Sequence, residues 1–192
     1  MIPRKIKRLI RKTQWKCQIK RKFRKNKSEI GRIIFCRNPQ YITIDGNVRI
    51  KEFSRIECFD KWNGKKLTPV FHIGKNVIIQ DFFTAFVTCE LSIGDYCIFA
   101  KNVTIVTENH GTNPESTDPY YIQDLKSENI IIGNNCWIGV NVIILPGTII
   151  GDNCVIAANS VVKGNYPNNS MIGGIPSRIL RSYSFDDHKW MK

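Results

Sequence analysis

No stretch of this 192-residue sequence approaches the ~18 consecutive apolar residues of a bilayer-spanning helix, so it reads as a chain without a transmembrane segment. Its basic start lacks an apolar h-region and a small-residue cleavage site, which argues against a secretory leader. The seven cysteines (17, 36, 58, 89, 97, 136 and 154) are odd in number and form no CxxC pair, which argues against a disulfide framework or a zinc ribbon. Reduced thiols in a cytoplasmic protein are the simplest reading. Histidine is scarce: His72, His110 and His188 stand in unrelated contexts without a paired ligand spacing, so no metal is expected. Acid is missing altogether from the first 27 residues.

What is present is equally uneven. Residues 1–27 hold 13 Lys and Arg, whereas the remaining 165 residues hold 16 basic and 16 acidic side chains. The chain is a neutral body with a cationic arm. With 42% hydrophobic and 23% charged residues the body is globular, large enough for one substantial core and short of two ordinary domains.

The body repeats every six residues. Ile132, Ile138, Ile144, Ile150, Ile156 and Val162 are one hexad apart, and the residue four places after each is Cys136, Val142, Thr148, Cys154, Ser160 and Tyr166. The same register appears at Ile93, Phe99 and Ile105, at Ile73, and more loosely at Ile44, Ile50 and Ile56. A period of six fits neither a helix nor a simple strand alternation. It fits a solenoid of short parallel strands, with three hexapeptides to a triangular coil and the lead aliphatics stacked inside. Gly or Ala after the lead residue is expected to let the backbone turn, and Asn134, Asn135, Asp152 and Asn153 to tolerate turn geometry. Cys97, Cys136 and Cys154 fall at the small inward position, which makes them packing residues. Two polar, Pro/Gly-rich segments, 57–72 and 106–129, break the register and read as long loops.

The run 130–162 (IIIGNNCWIGVNVIILPGTIIGDNCVIAANSVV), followed by Asn168-Asn169 and Gly174-Ile175-Pro176-Ser177-Arg178, resembles the hexapeptide-repeat acyltransferase family. The segment from Asn109-His110 through Pro119 to Ile132-Gly133 resembles its maltose/galactoside/capsular polysaccharide O-acetyltransferase branch. The resemblance implies an all-β fold, a left-handed parallel β-helix. It further implies a homotrimer with acetyl-CoA in clefts between neighbouring subunits. The expected organisation is a basic, partly helical arm (1–40), the β-helix domain (41–176) and a short C-terminal tail (177–192).

Residue by residue, His110 matches the family's catalytic base, on a loop that reaches toward the adjacent subunit. Trp137, Val140, Ala158, Lys163, Arg178 and Arg181 match positions along the CoA arm and its phosphates, which a guanidinium binds bidentately. Lys163 stands one place from the family's usual lysine. Asn109, Asp81 and Phe82 match the acceptor side, although the sugar acetyltransferases place asparagine near residue 82, where this chain reads Asp81-Phe82-Phe83-Thr84. The tail from Arg181 to Trp190 resembles enzymes that acetylate cell-surface polysaccharides or their lipid-linked precursors. The expected activity is acetyl-CoA-dependent O-acetylation of a surface-glycan sugar by a histidine base. N-acylation of an amino sugar nucleotide and a catalytically inactive scaffold are the alternatives.

Residues 2–23 read as a helix with Ile2, Ile6, Leu9, Ile10, Thr13 and Cys17 on one face and Lys and Arg over most of the rest. A basic amphipathic helix points to an anionic membrane surface, hence to a cytoplasmic protein peripheral at the inner leaflet. An arm packed on its own oligomer is the competing reading. Nucleic acid fits poorly, since the body carries no recognition module.

Overall fold

The computed structural model describes the chain from Arg4 to Lys192, with side chains described from Gln14 onward. The hexads form strands of a few residues that lie on three parallel faces. Face A carries Glu29–Ile30, Arg49–Ile50, Ile78–Ile79, Ile98–Phe99, Trp137–Ile138, Val155–Ile156 and Ser170–Gly174. Face B carries Ile33–Arg37, Ser54–Cys58, Thr84–Val87, Thr104–Val106, Ile143–Ile144 and Val161–Val162. Face C carries Ile42–Gly46, Val70–Lys75, Glu90–Ile93, Ile130–Ile132, Ile149–Ile150 and Asn165–Tyr166. The chain passes A to B to C repeatedly, giving six complete coils and the opening strand of a seventh. The period predicts these triangular coils, and the fold is the left-handed parallel β-helix that the family resemblance implies.

In-register pairing stacks like on like. Ile132, Ile138, Ile144, Ile150, Ile156 and Val162 are all at most 1% exposed, and the inward small residues beside them are buried as well. At the C-to-A edge Cys97, Cys136 and Cys154 form a buried column, each thiol donating to a carbonyl of the next coil: Gly133 (3.1 Å), Gly151 (3.2 Å) and Pro167 (3.3 Å). Earlier coils fill the wider core with Phe71, Phe83 and Phe99, and the latter two meet edge to face at 6.0 Å.

The corners divide the turning work differently from the sequence expectation. A Cβ on Gly94 would stand 2.7 Å from the backbone of Gly133, and one on Gly133 2.7 Å from that of Gly151. These glycines are required by close approach between coils, not by an unusual φ. The left-handed residue is the asparagine two places later, Asn135 (φ 53°) and Asn153 (φ 57°). Asn134 and Asp152 instead accept backbone N–H groups of the preceding coil, from Asp95 (2.9 Å) and Asn134 (2.6 Å).

The β-helix begins earlier than residue 41: Glu29–Ile30 and Ile33–Arg37 already pair in parallel with the second coil. Before it, the helix Arg4–Lys25 lies on all three strands of the first coil. Its packed face is Trp15, Ile19 and Phe23, at helical spacing and 8%, 2% and 1% exposed. Lys22 reaches the carbonyls of Pro39 (2.9 Å) and Ile42, which have no preceding coil to bond. The arm therefore caps the open end of the solenoid. The docking tests the expected apolar face only at Cys17. Cys17 is exposed, Ile2 lies outside the described residues, and the side chains of Ile6, Leu9, Ile10 and Thr13 lie outside the described side chains. At the other end Ser177–Ser184 and Lys189–Met191 add to face A as antiparallel strands, so the tail is a hairpin stapled to the sheet. Replacing Phe23 by Ala should cost roughly 3–5 kcal/mol in urea-induced unfolding. Cys17→Ala should be close to neutral, and equal costs would show that the helix is not docked through this face.

Candidate active site

Both breaks in the register leave the prism at the B-to-C edge. After Ser54–Cys58 the chain makes an antiparallel hairpin, Lys61–Trp62 with Lys65–Lys66, before entering face C. After Thr104–Val106 it leaves along Glu108–Asn109, returns along Lys126–Ser127, and carries the turn Tyr120–Ile122 between them. The two excursions come from the second and fourth coils and meet across the third. Trp62 donates its indole N–H to the Gln123 carbonyl at 3.2 Å, Asn63 donates to the Ile122 carbonyl, and Lys65 pairs with Asp124. Gln123, 7% exposed, holds the long loop from within: its amide accepts from Asn113 N–H (3.0 Å) and donates to the carbonyls of Asn113 (3.0 Å) and Asp118 (2.9 Å).

His110 follows the loop stem and is exposed, its ring edge-to-face with Trp62 at 5.2 Å and 71°. Asn109 pairs with Lys126 and is exposed. Glu108, between them and the body, has a buried Oε2 without a hydrogen-bond partner. Burial is the main cause that lifts its carboxyl to about 7; a bond from Thr107 opposes this and the Glu57 charge adds to it. Glu57 is 2% exposed and held by Arg37 (2.8 Å) and Arg55 (2.5 Å) on the outside of face B.

The remaining candidates stand elsewhere. Trp137 is 55% exposed on face A, between Ile98 and Val155 in register. Val140 and Ala158 are exposed at the A-to-B edge of the fifth and sixth coils, where Asn159 N–H donates to the Val140 carbonyl at 2.8 Å. Arg178 and Arg181 are exposed on the antiparallel strand beside face A, opposite Gly173 and Met171. Lys163 is exposed at the B-to-C edge, two coils beyond His110. Asp81 and Phe82 lie at the A-to-B edge of the third coil. Asp81 accepts Glu52 N–H (3.1 Å) and faces Lys101 (3.4 Å). Phe82 stacks on Phe53 at 5.3 Å, with the Arg32 guanidinium 5.5 Å from the Phe53 ring. Both phenylalanines are left-handed, at φ 64° and 62°, where Asn102, Asn141 and Asn159 serve later coils. That conformation costs a bulky residue on the order of 1–2 kcal/mol, offset in part by the ring stack.

Comparison with known proteins gives this architecture a family. Residues 129–164 match the model of the bacterial transferase hexapeptide (six repeats). The chain is 33% identical over 168 residues to the putative lipopolysaccharide biosynthesis O-acetyl transferase WbbJ of Escherichia coli K12, covering 81% of this chain and 82% of that protein. The chain belongs to the hexapeptide-repeat acyltransferase family. It is also 37% identical over 125 residues to the galactoside O-acetyltransferase of the same organism, 62% of this chain and 60% of that one. Among solved structures, a galactoside acetyltransferase in complex with coenzyme A superposes with a TM-score of 0.55 at 36% identity, covering 63% of this chain and 60% of that one.

In this hexapeptide-repeat acyltransferase one chain thus separates the candidates. His110 and its loop occupy the B-to-C edge, whereas Trp137, Val140, Ala158 and the two arginines lie on face A or at its far edge. Among the described residues no cluster of His, Cys, Asp and Glu could hold a metal ion. Sequence reading missed Trp62, Gln123, Gly111 and Glu108. Glu108 and Gly111 flank Asn109-His110, which was a signal. A Cβ on Gly111 would come 2.8 Å from Gln123. Trp62 and Gln123 are 61 residues apart and carried no signal. Because the folded Glu108 holds its proton to a higher pH than an unfolded glutamate, its ionisation destabilises the fold as pH rises from about 4.5 to about 7. Glu108→Gln should therefore raise thermal stability at pH 8, on the order of 1–2 kcal/mol after solvent screening, and change little at pH 4. An equal gain at both pH values would contradict the assignment.

Proposed function

We propose that this acetyltransferase transfers the acetyl group of acetyl-CoA to a sugar hydroxyl of a surface polysaccharide or its precursor, with His110 as general base. The observation that carries the reading is the presentation of His110. It is the one histidine on a long loop, exposed yet backed by Trp62 and anchored through Gln123, beside an open polar cleft. Such support fixes the direction of a side chain that must act on an incoming substrate. In its neutral form the imidazole takes the proton of the acceptor hydroxyl as that oxygen adds to the thioester carbonyl. It then returns the proton to the departing CoA thiolate. An oxygen ester forms as the thioester breaks, and the base is regenerated. The relatives support the acceptor class, one being a putative lipopolysaccharide biosynthesis O-acetyl transferase and another a galactoside O-acetyltransferase.

For acetyl-CoA, exposed Trp137 offers an aromatic surface, Val140 and Ala158 an open corner for the pantetheine arm, and Arg178, Arg181 and Lys163 cations for phosphates. Within one chain Trp137, Val140, Ala158, Arg178 and Arg181 stand apart from His110, which supports the homotrimer that the family resemblance implies, in which the loop of one copy meets face A of the next. Asp81 and Phe82 then belong to the acceptor side with Asn109. His110→Ala should lower turnover by roughly 10²–10⁴-fold in a thioester-consumption assay with a panel of sugars and surface oligosaccharides, leaving secondary structure and CoA binding intact. Unchanged turnover would refute the base.

The arm supports placement at an anionic membrane. One face is committed to the first coil, while Lys16, Lys20, Arg21 and Arg24 remain exposed on the others. Among the described residues no helix is long and apolar enough to cross a bilayer, so contact would be superficial. Each adsorbed cation contributes about 1 kcal/mol, and replacing all four by Gln should weaken cosedimentation with phosphatidylglycerol vesicles by roughly a hundredfold or more. Equal sedimentation of both proteins would sink the membrane reading. Deleting the arm is a poorer test because it uncovers the core.

A further inference from the structure

The docked arm leaves an open seam along one flank. Between the helix and the first strand of face C, Ile42–Gly46, lies a cleft of about 610 Å³, with Arg21, Lys22 and Lys25 on its helix side and Ile42 and Thr43 on its strand side. It runs on into a second cleft of about 370 Å³, which shares Lys25 and adds Lys27 and Lys75. We propose that this seam holds the phosphate of a lipid headgroup, as a phosphomonoester or diphosphate presented at the membrane surface. The proposal rests on the placement of the arm at an anionic membrane and names the group that the arm takes hold of there.

Charge and position agree on that occupant. Five cations line the seam, and Asp45 is the one acid among its lining residues. Asp45 pairs with His72 at 3.1 Å instead. The first 27 residues contain no acid, so the helix cannot neutralise its own flank. Among the described residues none of the five cations forms an ion pair. Lys22 is half-buried and gives two ammonium N–H groups to the carbonyls of Pro39 and Ile42, which leaves the third for a ligand. Burial lowers its pKa, and an anion beside it would oppose that shift. A phosphomonoester offers three acceptor oxygens and about −1.5 to −2 charges at neutral pH, whereas a diester carries a single charge. The strand is the terminal one of its sheet, so the seam opens at the capped end of the prism. The outward cations Lys16, Lys20 and Arg24 lie on the same helix, so a bilayer touching them brings its headgroups to the seam. At Pro39 and Gln40 the seam also reaches the B-to-C edge, which carries the His110 loop three coils on, about 14 Å along the prism. A sugar chain borne by the bound phosphate can run along that edge.

Cosedimentation of the full-length protein with phosphatidylcholine vesicles tests this without catalysis. Two vesicle sets are matched in surface potential, one doped with phosphatidate (a monoester) and the other with phosphatidylglycerol (a diester). The wild-type protein should prefer phosphatidate by roughly tenfold. Lys25→Gln/Lys27→Gln/Lys75→Gln should abolish that preference and still bind phosphatidylglycerol, with Lys25→Gln/Lys75→Gln as the substitute if the triple variant fails to fold. Lys16→Gln/Lys20→Gln/Arg24→Gln should weaken binding to both sets and keep their ratio. Equal binding of the wild-type protein to both sets, or a preference that survives in the seam variant, would overturn the seam and leave the membrane reading standing. No binding to either set would overturn both. Release of the protein from phosphatidate vesicles by glycerol 3-phosphate at the same phosphate concentration would overturn the lipid assignment and give the seam to soluble phosphates.

Discussion

Every feature of this enzyme depends on the repeat distance between neighbouring parallel strands, about 4.8 Å. Successive coils must lie that close all the way along the prism, so each position of the hexad sees its own kind above and below. Aliphatic leads make a continuous column, as Ile132 through Val162 do. Where the chain turns from face C to face A, a Cβ at Gly94 or Gly133 would touch the next backbone. Asparagines in the left-handed region bond to one another up the edge, as Asn102, Asn141 and Asn159 do at 2.9 and 3.0 Å. The solenoid gains its order from repetition, and it has two open ends that repetition cannot close. The docked helix and the C-terminal hairpin close them.

The same constraint decides where chemistry can sit. A face admits no insertion without breaking its ladder, whereas a corner can be opened for as many residues as needed. Both insertions use the B-to-C edge, and the separation of one coil between them lets the hairpin lie against the longer loop. A rigid prism therefore presents a small, locally organised unit in which Trp62, Gln123 and His110 define one another's positions. Nearby, the outer surface of face B accommodates a buried carboxylate, Glu57, because Arg37 and Arg55 flank it. The buried Oε2 of Glu108 has no hydrogen-bond partner, and burial pushes that carboxyl up to about 7.

The two aromatic residues at the A-to-B edge depart from this economy. Phe53 and Phe82 take a backbone conformation that asparagine adopts with less strain, and they remain partly exposed. Their stack, together with Arg32, sets this edge apart from the asparagine-lined corners of later coils.

Periodicity was enough to determine the coil, its core and the site of its interruptions, because short-range spacing maps directly onto stacking at a fixed distance. The family resemblance, not the period, singled out His110, since His72 also fell inside a break of the register and lies in the strand Val70–Lys75. The helix face differs from the expectation at Cys17, which shares a stripe with Ile6 and Leu9 in the sequence yet is exposed, while docking uses Trp15, Ile19 and Phe23 at the open end of the core. Which side of an amphipathic helix is buried depends on what it meets, and the sequence of the helix does not contain its partner. The contacts of Trp62 with His110 and of the hairpin with Gln123 lie likewise beyond sequence. They join residues from coils two apart, through turns whose direction is set only when the whole edge is assembled.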